Sequence, residues 1–125
     1  MGKIKDNALI SVKVATGDLS GAEGKLVALG VNGATLSASA TVPAAAVITE
    51  ADDGSGTVGV AVLGSYRGTV HMKAGGNVTE GSALVQMANG CVQTGTAGVV
   101  VGIAVESAKL DELFEAAPVT PVTRA

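Results

Sequence analysis

Two stretches of the chain repeat one another: EGKLVALGVNG, from Glu23 to Gly33, and EGSALVQMANG, from Glu80 to Gly90. The opening glutamates and the closing glycines are both 57 residues apart (80 − 23 and 90 − 33). A chain of 125 residues has room for two units of that length and little else, so the repeat constrains the fold to one domain built twice. Each copy enters through a sharp Glu-Gly turn, continues as an apolar segment and closes on Asn-Gly. That pair tolerates the positive φ a tight hairpin demands. Gly24 and Gly81, Asn32 and Asn89, and Gly33 and Gly90 are therefore read as matched structural turns. A third element, TVGVAVL (Thr57 to Leu63), resembles VVGIAVE (Val100 to Glu106), with Gly59 and Gly102 in register and also read as structural turns. Their separation is only 43 (102 − 59). This alignment gives the first copy extra residues, placed in PAAAVITEADDGSG (Pro43 to Gly56).

The segments themselves alternate with a period of two, which sends one set of side chains to a core and the other to water. ATLSASATV (Ala34 to Val42) has the cleanest alternation. Ile10, Val12 and Val14 repeat it, as do Val58, Val60 and Val62; Val70 and Met72; and Val99, Val101, Ile103 and Val105. Most are β-branched, and turn-forming sequences separate them. The expected fold is all-β: a small antiparallel barrel or sandwich, of jelly-roll or β-tulip type, with an internal pseudo-repeat. Residues 1–8 are expected to form an N-terminal arm, 9–117 a β core and 118–125 an extended C-terminal tail. The segment ESAKLDELFEAAPV fits two descriptions. One is a short helix from Ser107 to Ala116, with Leu110, Leu113 and Phe114 on one face; the other is an edge strand.

The core must be aliphatic, because Tyr66 and Phe114 are the only aromatic residues. Large rings, each burying about 150–250 Å², are nearly missing, which favours a domain that gains stability by association. A net charge of −3 gives no broad cationic face for nucleic acid, and no apolar run reaches the ~20 residues of a membrane span. The N-terminus lacks the apolar stretch of a signal peptide, and Cys91 has no second cysteine to pair with. The expectation is a soluble protein made and used without secretion.

Each candidate for chemistry reads more simply as structure. GSGTVG (Gly54 to Gly59) has dinucleotide-loop spacing, but a Val-rich strand follows where a helix is required. His71, the sole histidine, alternates toward solvent between Val70 and Met72. A His71–Cys91 nucleophile pair lacks an orienting third group, and Cys91 reads as a small apolar filler. Glu50, Asp52 and Asp53 lack calcium-loop spacing and read as a solvated loop. Met72-Lys73 before Gly-Gly resembles the modified lysine of biotinyl and lipoyl carriers, which stands at a hairpin tip. Here Ala74 replaces the second methionine of the biotin motif. No catalytic residue, cofactor or metal site is assigned.

The order of the pieces resembles a known family. DLSGAEGKLVAL, a polar hairpin, GTVGVAVL, GTVHMKAGGNVTEGSALVQMANGCVQ and VVGIAVESA follow one another as they do in the capsid cement, or head decoration, proteins of tailed bacteriophages. Gly68, Val70, Gly75 or Gly76, Val78, Gly81, Leu84 and Gly102-Ile103-Ala104 fall on that family's spacing. The resemblance spans roughly Asp18 to Ser107. It implies a structural, non-enzymatic virion protein on the outer surface of an icosahedral head, made in the host bacterial cytoplasm. The implied partners are the major capsid protein, whose subunits it would cross-link and stabilise, and further copies of itself as a dimer or trimer, with no nucleic acid or membrane. The N-terminal arm, with Met1, Gly2, Lys3, Ile4, Lys5 and Asp6, is the expected capsid contact. A frayed terminus is the alternative there. The alternative functions are a head-fibre base or carbohydrate-binding β-domain, and a carrier domain modified on Lys73. The sequence departs from the family after Ser107, where KLDELFEAAPVTPVTRA is additional.

Overall fold

The structure, a computed structural model, describes residues 9–15 and 17–124. The capsid contact expected at Met1 to Asp6 lies outside the described residues. Among the described residues ten strands form two five-stranded antiparallel sheets. The first contains β1 (Leu9–Lys13), β2 (Leu26–Gly30), β3 (Gly33–Leu36), β4 (Ala46–Glu50) and β5 (Thr57–Val62). The second contains β6 (Val70–Lys73), β7 (Ala83–Gln86), β8 (Val92–Thr94), β9 (Gly98–Ala104) and β10 (Leu113–Arg124). The first sheet has the order β1-β5-β4-β2-β3, and the second β6-β10-β9-β7-β8. The second order is the first with every strand advanced by five.

The duplication extends to register. Leu26 and Val27 pair with Val47 and Ala46, while Ala83 and Leu84 pair with Ile103 and Gly102. Ile48 lies opposite Val60 as Ala104 lies opposite Ala116, and Val12 opposite Val58 as Met72 lies opposite Phe114. Individual bonds recur too. Gly24 N–H donates to the Ile48 carbonyl at 2.9 Å and Gly81 N–H to the Ala104 carbonyl at 2.8 Å. In each unit the first strand reaches the third at one parallel bridge, Val14 to Ala34 and Ala74 to Val92. The sheets therefore curl strongly without closing into barrels.

This register corrects the alignment of Gly59 with Gly102. Gly59 lies in β5 and Gly102 in β9. The equivalent of β5 is β10, and the equivalent of β9 is β4. Residues 43–56 are no insertion, because they supply the central strand β4. Neither Gly59 nor Gly102 is a turn. Their resemblance reflects the Val-rich composition shared by buried strands.

The expected C-terminal helix is absent among the described residues. Leu113–Arg124 forms β10, which lies between β6 and β9 and is not an edge. Pro118 to Arg124 does not trail as a tail, for Val122, Thr123 and Arg124 pair with Val100, Val99 and Gly98. A register shift between Pro118 and Val122 accommodates the prolines, which cannot donate to a ladder. The alternation of Ala34 to Val42 also exceeds its strand: β3 stops at Leu36, and the Ser39 hydroxyl then caps a turn at Thr41 N–H and Val42 N–H. In β9, a bulge opposite Leu84 and Val85 shifts the phase. Val99 and Val101 are buried, but Ile103 faces outward.

Each unit encloses its own core. Leu19, Val27, Ala34, Ala46, Ile48, Val58 and Val60 fill the first. The matching positions Leu84, Val92, Ala104, Phe114 and Ala116 lie in the second. Phe114, Met72, Leu84 and Val92 are larger than their counterparts Val58, Val12, Val27 and Ala34, while Ala104, Ala116 and Gly102 are smaller than Ile48, Val60 and Ala46, so added and removed volume offset. Leu26, Val47, Ala61 and Leu63, on the other face of the first sheet, join the core of the second unit. Three successive residues of β4, Ala46, Val47 and Ile48, are thus buried because both faces of that strand are covered.

Candidate functional site

The seam between the units is built from backbone. Lys73 N–H donates to the Gly24 carbonyl at 2.9 Å, and Leu26 N–H to the Gly90 carbonyl at 2.8 Å. Gly24 has φ +84, and a Cβ there would meet the side chain of Leu113 and lie 3.1 Å from both Lys73 N and Met72 C. Gln86 closes the other end. Its side chain is 3% exposed, yet every polar atom has a partner: Nε2 donates to the carbonyls of Ser39 (2.7 Å) and Val42 (2.6 Å), and Oε1 accepts from Ala44 N–H (3.0 Å). One amide thereby ties the β3–β4 connection of the first unit to β7 of the second.

The same faces have different fates in the two units. Val47 is fully buried, while Ile103, at its register position, is 45% exposed. Leu26, Ala61 and Leu63 are buried; Ala83, Ala117 and Val119 are only half-buried. Gly81, Ala83, Val100, Ile103, Val119 and Val122, with Thr120 and Arg124, line an open apolar hollow of about 530 Å³. In the first unit, the hairpin Gly30–Gly33 holds Val31 entirely in solvent.

The sequence candidates are dispersed over this framework. His71 is exposed on β6, opposite Glu115. Cys91 is buried in the β7–β8 hairpin, and burial pushes its thiol up, against the lowering fields of Lys25 and Lys73. Lys73 is half-buried at the end of β6, its backbone tied to Gly24, rather than at a hairpin tip as carrier chemistry requires. Asp52 accepts from Gly54 N–H (2.9 Å) and Gly56 N–H (3.0 Å), and Asp53 from Ser55 N–H (3.2 Å). These carboxylates shape the β4–β5 turn, and the Ser55 hydroxyl and N–H hold Asp53 below the usual carboxylate range. Glu23, Glu50 and Glu115 line a hollow at the seam with His71 and Tyr66. Among the described residues no three His, Cys, Asp or Glu side chains cluster to hold a metal ion.

Of the expected turns, Gly24, Gly33, Gly81 and Gly90 have positive φ, between +81° and +118°. Asn32 and Asn89 do not, so the left-handed conformation falls on glycine alone. The exposed faces at Ile103 and Val31 were not singled out by the sequence. Ile103 reads as core in a strict alternation, and only the β9 bulge reverses it.

No family model, curated protein or solved structure matches this chain.

Proposed function

We propose that the chain is a structural cement protein of a tailed-phage head, binding the outer shell and bridging major capsid proteins. The observation that carries this reading is the apolar hollow at Ile103. The sequence that resembles the cement family passes through Val70, Val78, Gly81, Leu84 and Gly102-Ile103-Ala104, and of these Gly81 and Ile103 line that hollow. A face with this chemistry is suited to contact. Weak contacts repeated over a lattice combine into strong retention without any single strong site. Binding to the folded chain also adds to the stability of an aliphatic core that contains one phenylalanine.

The test is co-sedimentation of the purified chain with DNA-free expanded capsids of the phage that encodes it. Saturable binding with a fixed ratio to the major capsid protein is expected. No co-sedimentation at micromolar concentrations of the chain overturns the reading.

A further inference from the structure

We propose that Asn32 is a site of spontaneous covalent modification, converting to aspartate and isoaspartate in the folded chain, while the seam protects Asn89 from the same reaction. The chemistry runs fastest where glycine follows asparagine. The glycine backbone nitrogen gives up its proton and attacks the asparagine side-chain carbonyl carbon. A C–N bond forms, the departing amide takes up the proton, and ammonia leaves. Water then opens the cyclic imide at either carbonyl. One opening gives aspartate; the other gives isoaspartate, whose main chain runs through the side-chain methylene. Water is the only co-reactant. Glycine favours the attack because it has no Cβ to obstruct it and reaches backbone angles closed to other residues. The chain carries this dipeptide twice, as Asn32-Gly33 and Asn89-Gly90. One site thus serves as the internal control for the other.

The two sites differ in what must move before the attack. Asn32 is exposed, and among the described residues its side chain has no hydrogen-bond partner. It stands in the turn Val31-Asn32 between the paired Gly30 and Gly33, at the last rung of the β2–β3 ladder. Val31 beside it is entirely in solvent, so nothing packs over the turn, and a terminal rung opens at little cost. Asn89 is exposed as well, but its Oδ1 accepts from Cys91 N–H at 3.2 Å. Gly90 is buried, and its carbonyl accepts from Leu26 N–H across the seam at 2.8 Å. A Cβ at Gly90 would lie 2.8 Å from Leu36 Cδ1 and 3.1 Å from the Leu26 carbonyl oxygen. Attack at Asn89 must therefore free its amide from Cys91 and turn a peptide that is clamped between the units. Those two additional hydrogen bonds correspond to a rate difference of about tenfold or more. The product also bears on the fold. Each event adds a negative charge to a net charge of −3. Isoaspartate lengthens the backbone beside Gly33, which lies against the Lys13 carbonyl with no room for a Cβ. The inference is independent of the capsid reading, since it concerns the chain in free solution.

The test incubates the full native chain in mildly alkaline buffer, beside a second sample unfolded in urea. Peptide mapping by mass spectrometry follows the amide-to-acid mass gain at each asparagine, and isoaspartyl methyltransferase labelling counts isoaspartate. In urea the two Asn-Gly pairs should convert at similar rates. In the native chain Asn32 should convert about tenfold or more faster than Asn89. The Asn32→Gln chain should lose most of the native isoaspartate signal, because glutamine must close a larger and slower ring. Circular dichroism confirms that this variant is folded, and Asn32→Ser replaces it if it is not. A native chain in which Asn89 converts as fast as Asn32 overturns the proposal. So does a native Asn32 that stays intact while the unfolded chain converts, and so does an Asn32→Gln chain that accumulates isoaspartate like wild type.

Discussion

Val47 and Ile103 occupy one register position in two copies of the same sheet, and one is sealed while the other stands in solvent. The sheet itself does not decide this. Val47 is covered because a second unit packs on it, and Ile103 has no third unit in the chain to cover it. An aspartate at each site should separate the two situations. Val47→Asp buries an unpaired charge and is expected to cost at least about 3 kcal/mol. Ile103→Asp should cost about 1 kcal/mol or less in dilute solution. Urea denaturation of both variants measures the contrast.

Alanine at Gly24 and Gly81 probes the seam from the backbone. Both positions are left-handed, so each substitution carries the same conformational penalty of about 1–2 kcal/mol. Gly24→Ala must in addition displace Leu113 and press on the Lys73 and Met72 backbone. Gly24→Ala is therefore expected to be the more destabilising by at least about 1 kcal/mol, again by urea denaturation. Equal effects would mean that the seam yields freely at this point.

Gln86 occupies the place that Leu29 takes in the first unit, so a leucine there has a precedent within the chain. Gln86→Leu nevertheless leaves the Ser39 and Val42 carbonyls and the Ala44 N–H without partners. The expected cost is about 1–3 kcal/mol. Hydrogen exchange should localise it, with faster exchange at Ala44 and little change at Gly81.

Cys91 is expected to be inert. Its side chain is buried, and desolvation raises its pKa, so the reactive thiolate is scarce. A disulfide reagent at neutral pH should label the thiol only after denaturant is added. The raised pKa also fixes the sign of its pH dependence. Its contribution to stability is fully present below the unfolded thiol's pKa and declines as pH rises through the folded value. Rapid labelling of the native chain would contradict the burial.

Much of this architecture was legible in the sequence. The paired Glu-Gly and Asn-Gly sequences bracket β2 and β7 and mark the duplication. The alternations at Ile10 and Val12, Val58 and Val60, and Val70 and Met72 locate β1, β5 and β6. What escaped was set by distant partners. The apolar run of β4 lacks alternation because it is covered on both faces, so it reads as loop filler beside Pro43. Leu110, Leu113 and Phe114 fit a helical period, and only the ladders to β6 and β9 make Leu113–Arg124 a strand, with Leu110 left in the turn before it and Leu113 and Phe114 on opposite faces. The exposed hollow was hidden for a related reason. A bulge in β9, defined by its register with β7, turns Ile103 away from the core.

The proposed role of these faces is to hold a capsid together. Differential scanning calorimetry of expanded, DNA-free shells from the phage proposed to encode the chain, with and without saturating chain, tests it most directly. The account predicts an upward shift of several degrees in the melting of the shell, reaching a plateau at a fixed number of chains per capsomer. A shell that melts at the same temperature with the chain present at saturation would contradict it.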